Sequence, residues 1–193
     1  SGVSQIAAGF AHSLILKTDG SLHTFGKNNN GQLGDGTTTD RSTPTQILAS
    51  GVSRIAAGEN HSLIIKSDGS LHAFGWNGKG QLGYGTTNQR NTPTQILTSG
   101  VAQIAAGLYH SLILKSDGSL YTFGENIYGQ MGDGTTANKN TPTQILSSGV
   151  AQITAGRHHS LILKSNGSLH AFGRNNYGQL GDGTTTDRNT PTQ

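Results

Sequence analysis

The sequence predicts an all-β fold: a β-propeller of four-stranded antiparallel blades, four blades to the chain. Three observations carry that expectation. The stretch His12 to Phe25, HSLILKTDGSLHTF, returns from His61, His110 and His159 at a constant step of 49 residues. Inside it, two runs of strand composition flank Lys17-Thr18-Asp19-Gly20-Ser21, and an Asp-Gly pair between apolar runs signals a tight antiparallel hairpin. The run Leu14-Ile15-Leu16 puts apolar side chains on both faces of its strand, as a sheet needs when neighbours cover both sides. Four strands repeating at this period describe radially stacked blades better than a solenoid.

The array divides into units 1–49, 50–98, 99–147 and 148–193, which together make one propeller, or half-propeller, body. In the first unit the candidate strands are Val3 to Ala8, Ser13 to Lys17, Leu22 to Phe25 and Thr43 to Leu48. Three links between strands are short, through Gly9 to His12, through the Asp-Gly turn, and through Ala49-Ser50-Gly51. The fourth, Lys27 to Ser42, is long. Short links make hairpins and long ones cross between layers. The expected sheet therefore runs Thr43 to Leu48, Val52 to Ala57, Ser62 to Lys66 and Leu71 to Phe74, and straddles the unit boundary.

That grouping leaves the first sheet without its Pro-Thr-Gln strand and the chain with a spare one at Pro191-Thr192-Gln193. Pairing the spare strand beside Val3 within one chain would close four blades; pairing it between two chains would close eight, as a homodimer with twofold symmetry. The eight-bladed homodimer is the expectation, because Ala7, Ala8, Gly9 and Ser21 are small enough to suit a wider ring. Val3, Pro191, Thr192 and Gln193 are then the residues that close it.

Composition removes several classes of function. The apolar fraction of 32% omits 29 glycines, and with them the chain reaches the ordinary range for a folded core. The absence of Cys excludes disulfides, thiolate metal sites and Cys nucleophiles, and leaves the compartment open. No apolar run is long enough for a bilayer, so no membrane partner is expected. The net charge of +3 is scattered over all four units without a Lys/Arg block, so nucleic acid is not an expected partner either.

The segment Gly9 to Gly34 has the form G-x-x-H-S-L-I-L-K-S/T-D-G-S-L-x-x-F-G-x-N-x-x-G-Q-L-G and recurs through Gly156 to Gly181. It resembles the repeat of the regulator of chromosome condensation family, and the likeness covers essentially the whole chain. The resemblance implies a propeller, usually seven-bladed and closed by strands from both termini. Family members include an exchange factor for a small GTPase that also binds nucleosomes, a plant ultraviolet photoreceptor and a secreted bacterial β-lactamase inhibitor. None of these activities carries over residue by residue. The photoreceptor's clustered tryptophans have no counterpart beside Trp76, and the exchange factor's inserted wedge would need one unit longer than the rest.

Several motifs invite a chemical reading. His12-Ser13, His61-Ser62, His110-Ser111 and His159-Ser160 could be base and nucleophile, but adjacent strand residues point to opposite faces and an active site is not fourfold. A ring of these imidazoles has no carboxylate at ligand spacing. His23, His72 and His170 form a second set, broken by Tyr121, so no metal is assigned. Asp35-Gly36-Thr37-Thr38-Thr39-Asp40 has the look of a calcium loop, yet Tyr84 replaces its first Asp in the second unit, and a turn is expected instead. The glycines of Gly31 to Gly36 lack the Lys-Ser/Thr of a phosphate cradle. Leu33, Leu82, Met131 and Leu180 hold the one apolar position of the long link and are expected to pin it by burial. No catalytic residue and no cofactor are assigned.

Because one fold position is sampled four times, differences between units are informative. They concentrate at Phe10-Ala11, Glu59-Asn60, Leu108-Tyr109 and Arg157-His158, and again just after the third strand, at Lys27, Trp76, Glu125 and Arg174 and the positions following them. Aromatic and charged residues on loops of a rigid frame suit protein recognition. The candidate protein-binding residues are Phe10, Trp76, Leu108, Tyr109, Tyr128, Arg157, His158 and Tyr177. The expected function is a non-catalytic scaffold that presents these loops to a protein partner. The alternative is an engineered or recently amplified array whose main property is self-assembly into a ring, as the near identity of the units suggests.

Overall fold

The Asp19-Gly20 turn brings two strands together in the computed structural model, which describes residues 2–193. Gly20 adopts φ +77°, its N–H donates to the Lys17 carbonyl at 3.0 Å, and the Asp19 carboxylate accepts the Ser21 N–H at 2.9 Å. The strands so joined are β2 (His12–Lys17) and β3 (Leu22–Gly26); β1 (Val3–Ala8) pairs antiparallel with β2, and β4 (Arg41–Leu48) with β3. The pattern repeats as β5 (Val52–Ala57), β6 (His61–Lys66), β7 (Leu71–Gly75) and β8 (Arg90–Leu97). The third blade holds β9 (Val101–Ala106), β10 (His110–Lys115), β11 (Leu120–Gly124) and β12 (Lys139–Leu146). The fourth holds β13 (Val150–Ala155), β14 (His159–Lys164), β15 (Leu169–Gly173) and β16 (Arg188–Thr192). Each sheet runs in simple chain order. No helix is long and apolar enough to cross a membrane among the described residues.

The blade does not straddle the unit boundary, which corrects the grouping expected from link lengths. β4 returns to β3 of its own unit, with Leu22 opposite Leu48, Thr24 opposite Thr45 and Gly26 opposite Arg41. The cause is the buried Asn28. Its side-chain amide donates to the Asp35 carboxylate (3.0 Å) and to the carbonyls of Thr37 (3.1 Å) and Thr39 (3.1 Å), while its carbonyl accepts the Leu33 N–H (2.9 Å). These bonds fold the long link back on itself and deliver Arg41 opposite Gly26. Leu33, Leu82 and Met131 are wholly buried beneath it, as expected, and Leu180 nearly so. The short Ala49-Ser50-Gly51 link makes the crossing to the next blade.

A second correction follows. Val3 already pairs with Lys17, and Thr192 with Ala171, so neither end of the chain lacks a strand. Pro191 lies within β16 and Gln193 just beyond it. Exchange of a spare strand therefore does not operate.

The core lies between blades. Leu14, Leu16 and Leu22 of the first blade pack against Val52, Ile64 and Phe74 of the second; Leu112, Leu114 and Leu120 meet Val150, Ile162 and Phe172 in the same way. Between the second and third blades the cluster contains Ile65, Leu71, Val101, Ile113 and Phe123. In the second and third blades both faces of the inner strands are covered, as a two-sided apolar run anticipates; β2 buries Leu14 and Leu16 but leaves Ile15 half-buried on an open face. The first and fourth blades do not close on each other: Val3, Ile6 and Leu169 stay exposed, so the four blades form an open arc.

Candidate functional loop face

The two variable segments of every unit sit at the same end of its blade, one entering the second strand and one leaving the third. A single backbone bond fastens them. Lys27 N–H donates to the Ala11 carbonyl (2.8 Å), Trp76 to Asn60 (2.8 Å), Glu125 to Tyr109 (2.8 Å) and Arg174 to His158 (2.9 Å). The differences between units are thereby gathered on one continuous face.

Beneath that face lies a buried polar ladder. His12 Nε2 is 2.9 Å from Ser62 Oγ of the next blade, and His61–Ser111 and His110–Ser160 repeat the contact at 3.0 Å. Each serine hydroxyl donates back to a glutamine carbonyl of the preceding blade, Ser62 to Gln32 (2.8 Å), Ser111 to Gln81 (2.9 Å) and Ser160 to Gln130 (2.8 Å). With the hydroxyl proton so committed, Nε2 must carry the imidazole proton. The Nδ1 atoms of His12, His61 and His110 are buried without a partner, so a second proton would find no acceptor. Burial accordingly lowers His12 to about 4 and His61 and His110 to about 3. Glycine is required three residues earlier, since a Cβ on Gly9 would stand 2.2 Å from the His12 ring. The G-x-x-H-S motif is a device for joining blades.

On the face itself, Trp76 and Tyr109 from adjacent blades meet with ring centroids 4.7 Å apart. Gly78 makes room for this, because a Cβ there would lie 2.4 Å from the indole. The Tyr109 hydroxyl donates to Glu59 at 3.4 Å; burial, then Glu59, raises its pKa and keeps it a donor. Tyr128 stands edge-on to His158 at 5.1 Å and lies under the Arg174 guanidinium at 4.8 Å. Glu125 is buried, with Lys79 Nζ at 3.8 Å and the Gln130 amide donating at 3.3 Å; burial raises its pKa against the pull of Lys79. His158 is 3.5 Å from Glu125, yet burial, then Arg157 and Arg174, push it towards the neutral form, so that contact is not an ion pair.

Phe10, Leu108 and Arg157 line a shallow cleft with Glu59 where the four blades converge, and Phe10 is 77% exposed. Tyr177, 85% exposed, stands at the free edge of the arc beside Arg157, His158 and Arg174. The structure thus joins Trp76 to Tyr109 and Tyr128 to His158, and sets Tyr177 at the margin. Glu59, Lys79, Glu125 and Arg174, charged partners within these clusters, are absent from the candidate set. Their signal is an alternation of sign at one fold position, Glu59 against Arg157 and Glu125 against Arg174.

The profile of the RCC1-like domain matches residues 1–193. The chain belongs to the RCC1-like domain family. The structure of human WBSCR16 superposes with a TM-score of 0.89 at 29% identity, over 100% of this chain and 53% of that one. Prp20p from Saccharomyces cerevisiae, described with its binding to Gsp1p and histones, superposes with a TM-score of 0.87 at 27% identity, over 98% and 50%. Among curated relatives, the ultraviolet-B receptor UVR8 of Arabidopsis thaliana is 43% identical over 47 residues, 24% of this chain and 11% of its own length. The E3 ubiquitin-protein ligase MYCBP2 of Danio rerio is 42% identical over 45 residues, 23% of this chain and 1% of its own length. The chain spans about half the length of the solved relatives and a small part of the curated ones.

Within this RCC1-like arc the loop resembling a calcium site is already occupied by protein. Asp35 accepts from Asn28, Thr37 and Arg41, the last as a salt bridge at 2.7 Å. In the second unit, where Tyr84 stands at this position, Arg90 stacks on its ring at 4.5 Å instead. No group of three or more potential metal ligands occurs among the described residues.

Proposed function

We propose that this RCC1-like chain is a non-catalytic scaffold that binds a protein partner through its loop face, and that two copies complete the ring on which that face is displayed. The observation that carries the binding reading is the backbone bond tying the two variable segments together in every blade. It concentrates Trp76, Tyr109, Tyr128, Arg157 and Arg174 on one side of an otherwise uniform frame, and such residues dominate interface energetics. Kap60 bound to yeast RCC1, and Prp20p with Gsp1p and histones, show relatives engaged with proteins. The buried His–Ser ladder supports a scaffold over an enzyme, because its hydroxyls and ring nitrogens are spent on holding blades together.

The test is a comparison of faces. A Phe10→Ala/Arg157→Ala/Tyr177→Ala chain and a control altered at the opposite end, Asp68→Ala/Asp117→Ala, would be used as bait beside the parent, with captured proteins identified by mass spectrometry and retested in purified form. Loss of the captured protein from the loop-face variant alone is the expected result. Equal capture by both variants removes the loop face as the binding surface.

A further inference from the structure

We propose that two copies of this chain join head to tail, the free face of the fourth blade of one seated on the free face of the first blade of the other, so that two such seams close one ring. This rests on reading the array as a ring of two copies and specifies its seam. The chain contains three examples of what a seam requires, and its two ends carry the unmatched halves of a fourth.

The apolar halves correspond. At an internal seam, leucines such as Leu14, Leu16 and Leu22 cover the Val52, Ile64 and Phe74 face of the following blade. The fourth blade leaves Leu169 exposed and Leu161 and Leu163 half-buried, and the first leaves Val3 exposed and Ile15 and Phe25 half-buried. Leu169 is 56% exposed where Leu120 is wholly buried, and Val3 is 53% exposed where Val52 is 4%.

The polar halves correspond as well. His159 is the one imidazole of its series without a serine beyond it, and Ser13 the one serine without an imidazole before it; together they would make the bond seen three times inside the chain. Val52, Val101 and Val150 donate their N–H to the Gly20, Gly69 and Gly118 carbonyls of the blade before, at 3.1 Å each, leaving the Gly167 carbonyl and the Val3 N–H for one another. Phe74, Phe123 and Phe172 close over Gly34, Gly83 and Gly132, whereas Gly181 has nothing within 4 Å and Phe25 is only half-buried. One element differs. Asn91, Asn140 and Asn189 donate across a seam to the Gly36, Gly85 and Gly134 carbonyls, and Ser42 occupies that position in the first blade.

The seam therefore continues an established interface rather than filling an arbitrary apolar groove. Its two sides are different surfaces, so repetition must close into a ring or extend into a filament. Propellers of about four to eight blades are known, which admits a ring of two four-bladed copies.

Sedimentation velocity over a range of concentrations tests this on the 193-residue chain. Twice the 20.1 kDa chain mass is expected. Ile6→Asp spoils the head face and Leu169→Asp the tail face; both side chains are exposed, so the fold should survive, which circular dichroism and thermal melting would verify. Each variant alone is expected to associate at least about tenfold more weakly, since both seams of the ring are lost together. Mixed in equal amounts, the two retain one intact seam and should recover a pair. Ser42→Asn should tighten association several-fold by restoring the fourth asparagine bond.

A native mass of one chain at every concentration overturns both the ring and the seam. A two-chain mass that neither aspartate lowers keeps the pairing of copies but overturns this seam. Disruption by only one variant, or no recovery on mixing, overturns the head-to-tail arrangement, and a mass that grows without limit overturns ring closure.

Discussion

His61 Nε2 lies 3.0 Å from the Oγ of Ser111, fifty residues along the chain and one blade further round the arc. The serine hydroxyl in turn donates a hydrogen bond to the Gln81 carbonyl at 2.9 Å, so a single hydroxyl joins two blades by two bonds. The joint repeats at each internal seam.

Ser111→Ala removes that hydroxyl and leaves the His61 N–H and the Gln81 carbonyl buried without partners. A loss of about 1–3 kcal/mol is expected from each group left so, less any relief by entering water. Denaturant titration should show a lowered midpoint with an unchanged slope, while Ser148→Ala, on an exposed link, should leave the midpoint in place. A Ser111→Ala midpoint equal to that of the parent would show that the ladder does not hold the blades.

Acid should loosen the fold before its carboxylates titrate. Burial holds His61 and His110 down to about 3 and His12 to about 4, against an ordinary 6.5. Below pH 6.5 the unfolded chain binds protons that the folded chain refuses, so stability is greatest above 6.5 and falls as pH drops towards the folded values. The slope is about 1.4 kcal/mol per pH unit for each histidine fully committed. Unfolding free energies measured between pH 7 and about 5 should decline; a flat profile over that range would contradict neutral, buried imidazoles.

Asn126 repeats the role of Asn28 in the third blade, donating to Asp133 (3.0 Å), Thr135 (3.0 Å) and Ala137 (3.2 Å) and accepting the Met131 N–H (2.9 Å). Asn126→Ala should cost about 3 kcal/mol, because several buried groups lose their partner at once. It should also raise amide exchange from Met131 through Lys139, in the link and at the start of β12. Hydrogen exchange by mass spectrometry would register both effects, and protection unchanged in that segment would deny the residue its organising role.

Trp76 is the sole tryptophan, so its emission reports the Trp76–Tyr109 stack directly. Gly78→Ala places a methyl where the ring now lies and should drive the indole into solvent, with a red-shifted maximum and greater iodide quenching. Tyr109→Ala should act in the same direction. An unshifted spectrum in both variants would place the indole elsewhere.

Much of this architecture is written in short-range pattern. The Asp19-Gly20 turn, the strands beside it and the two-sided apolar run Leu14-Ile15-Leu16 each depend on residues a few positions apart, and each was legible. So was the loop-pinning leucine at position 33, the one apolar residue in a polar link. The grouping of strands was not. Link length alone sends Lys27 to Ser42 across to another sheet, and nothing local reveals that the Asn28 side chain bonds to Leu33, Asp35, Thr37 and Thr39 within that link and turns it back.

The loop face divides along the same line. The variable positions could be listed by comparing units, but which of them touch depends on contacts between blades, such as Trp76 with Tyr109 and Glu125 with Lys79. The histidine motif shows the limit plainly. Its residues invite pairing of neighbours, His12 with Ser13, whereas the bond runs from His12 to Ser62. Strand geometry within a unit follows from backbone torsions and side-chain alternation, which adjacent residues encode. Contacts across a seam depend on how whole sheets rotate and pack against each other, and that relation exists only once the chain has folded.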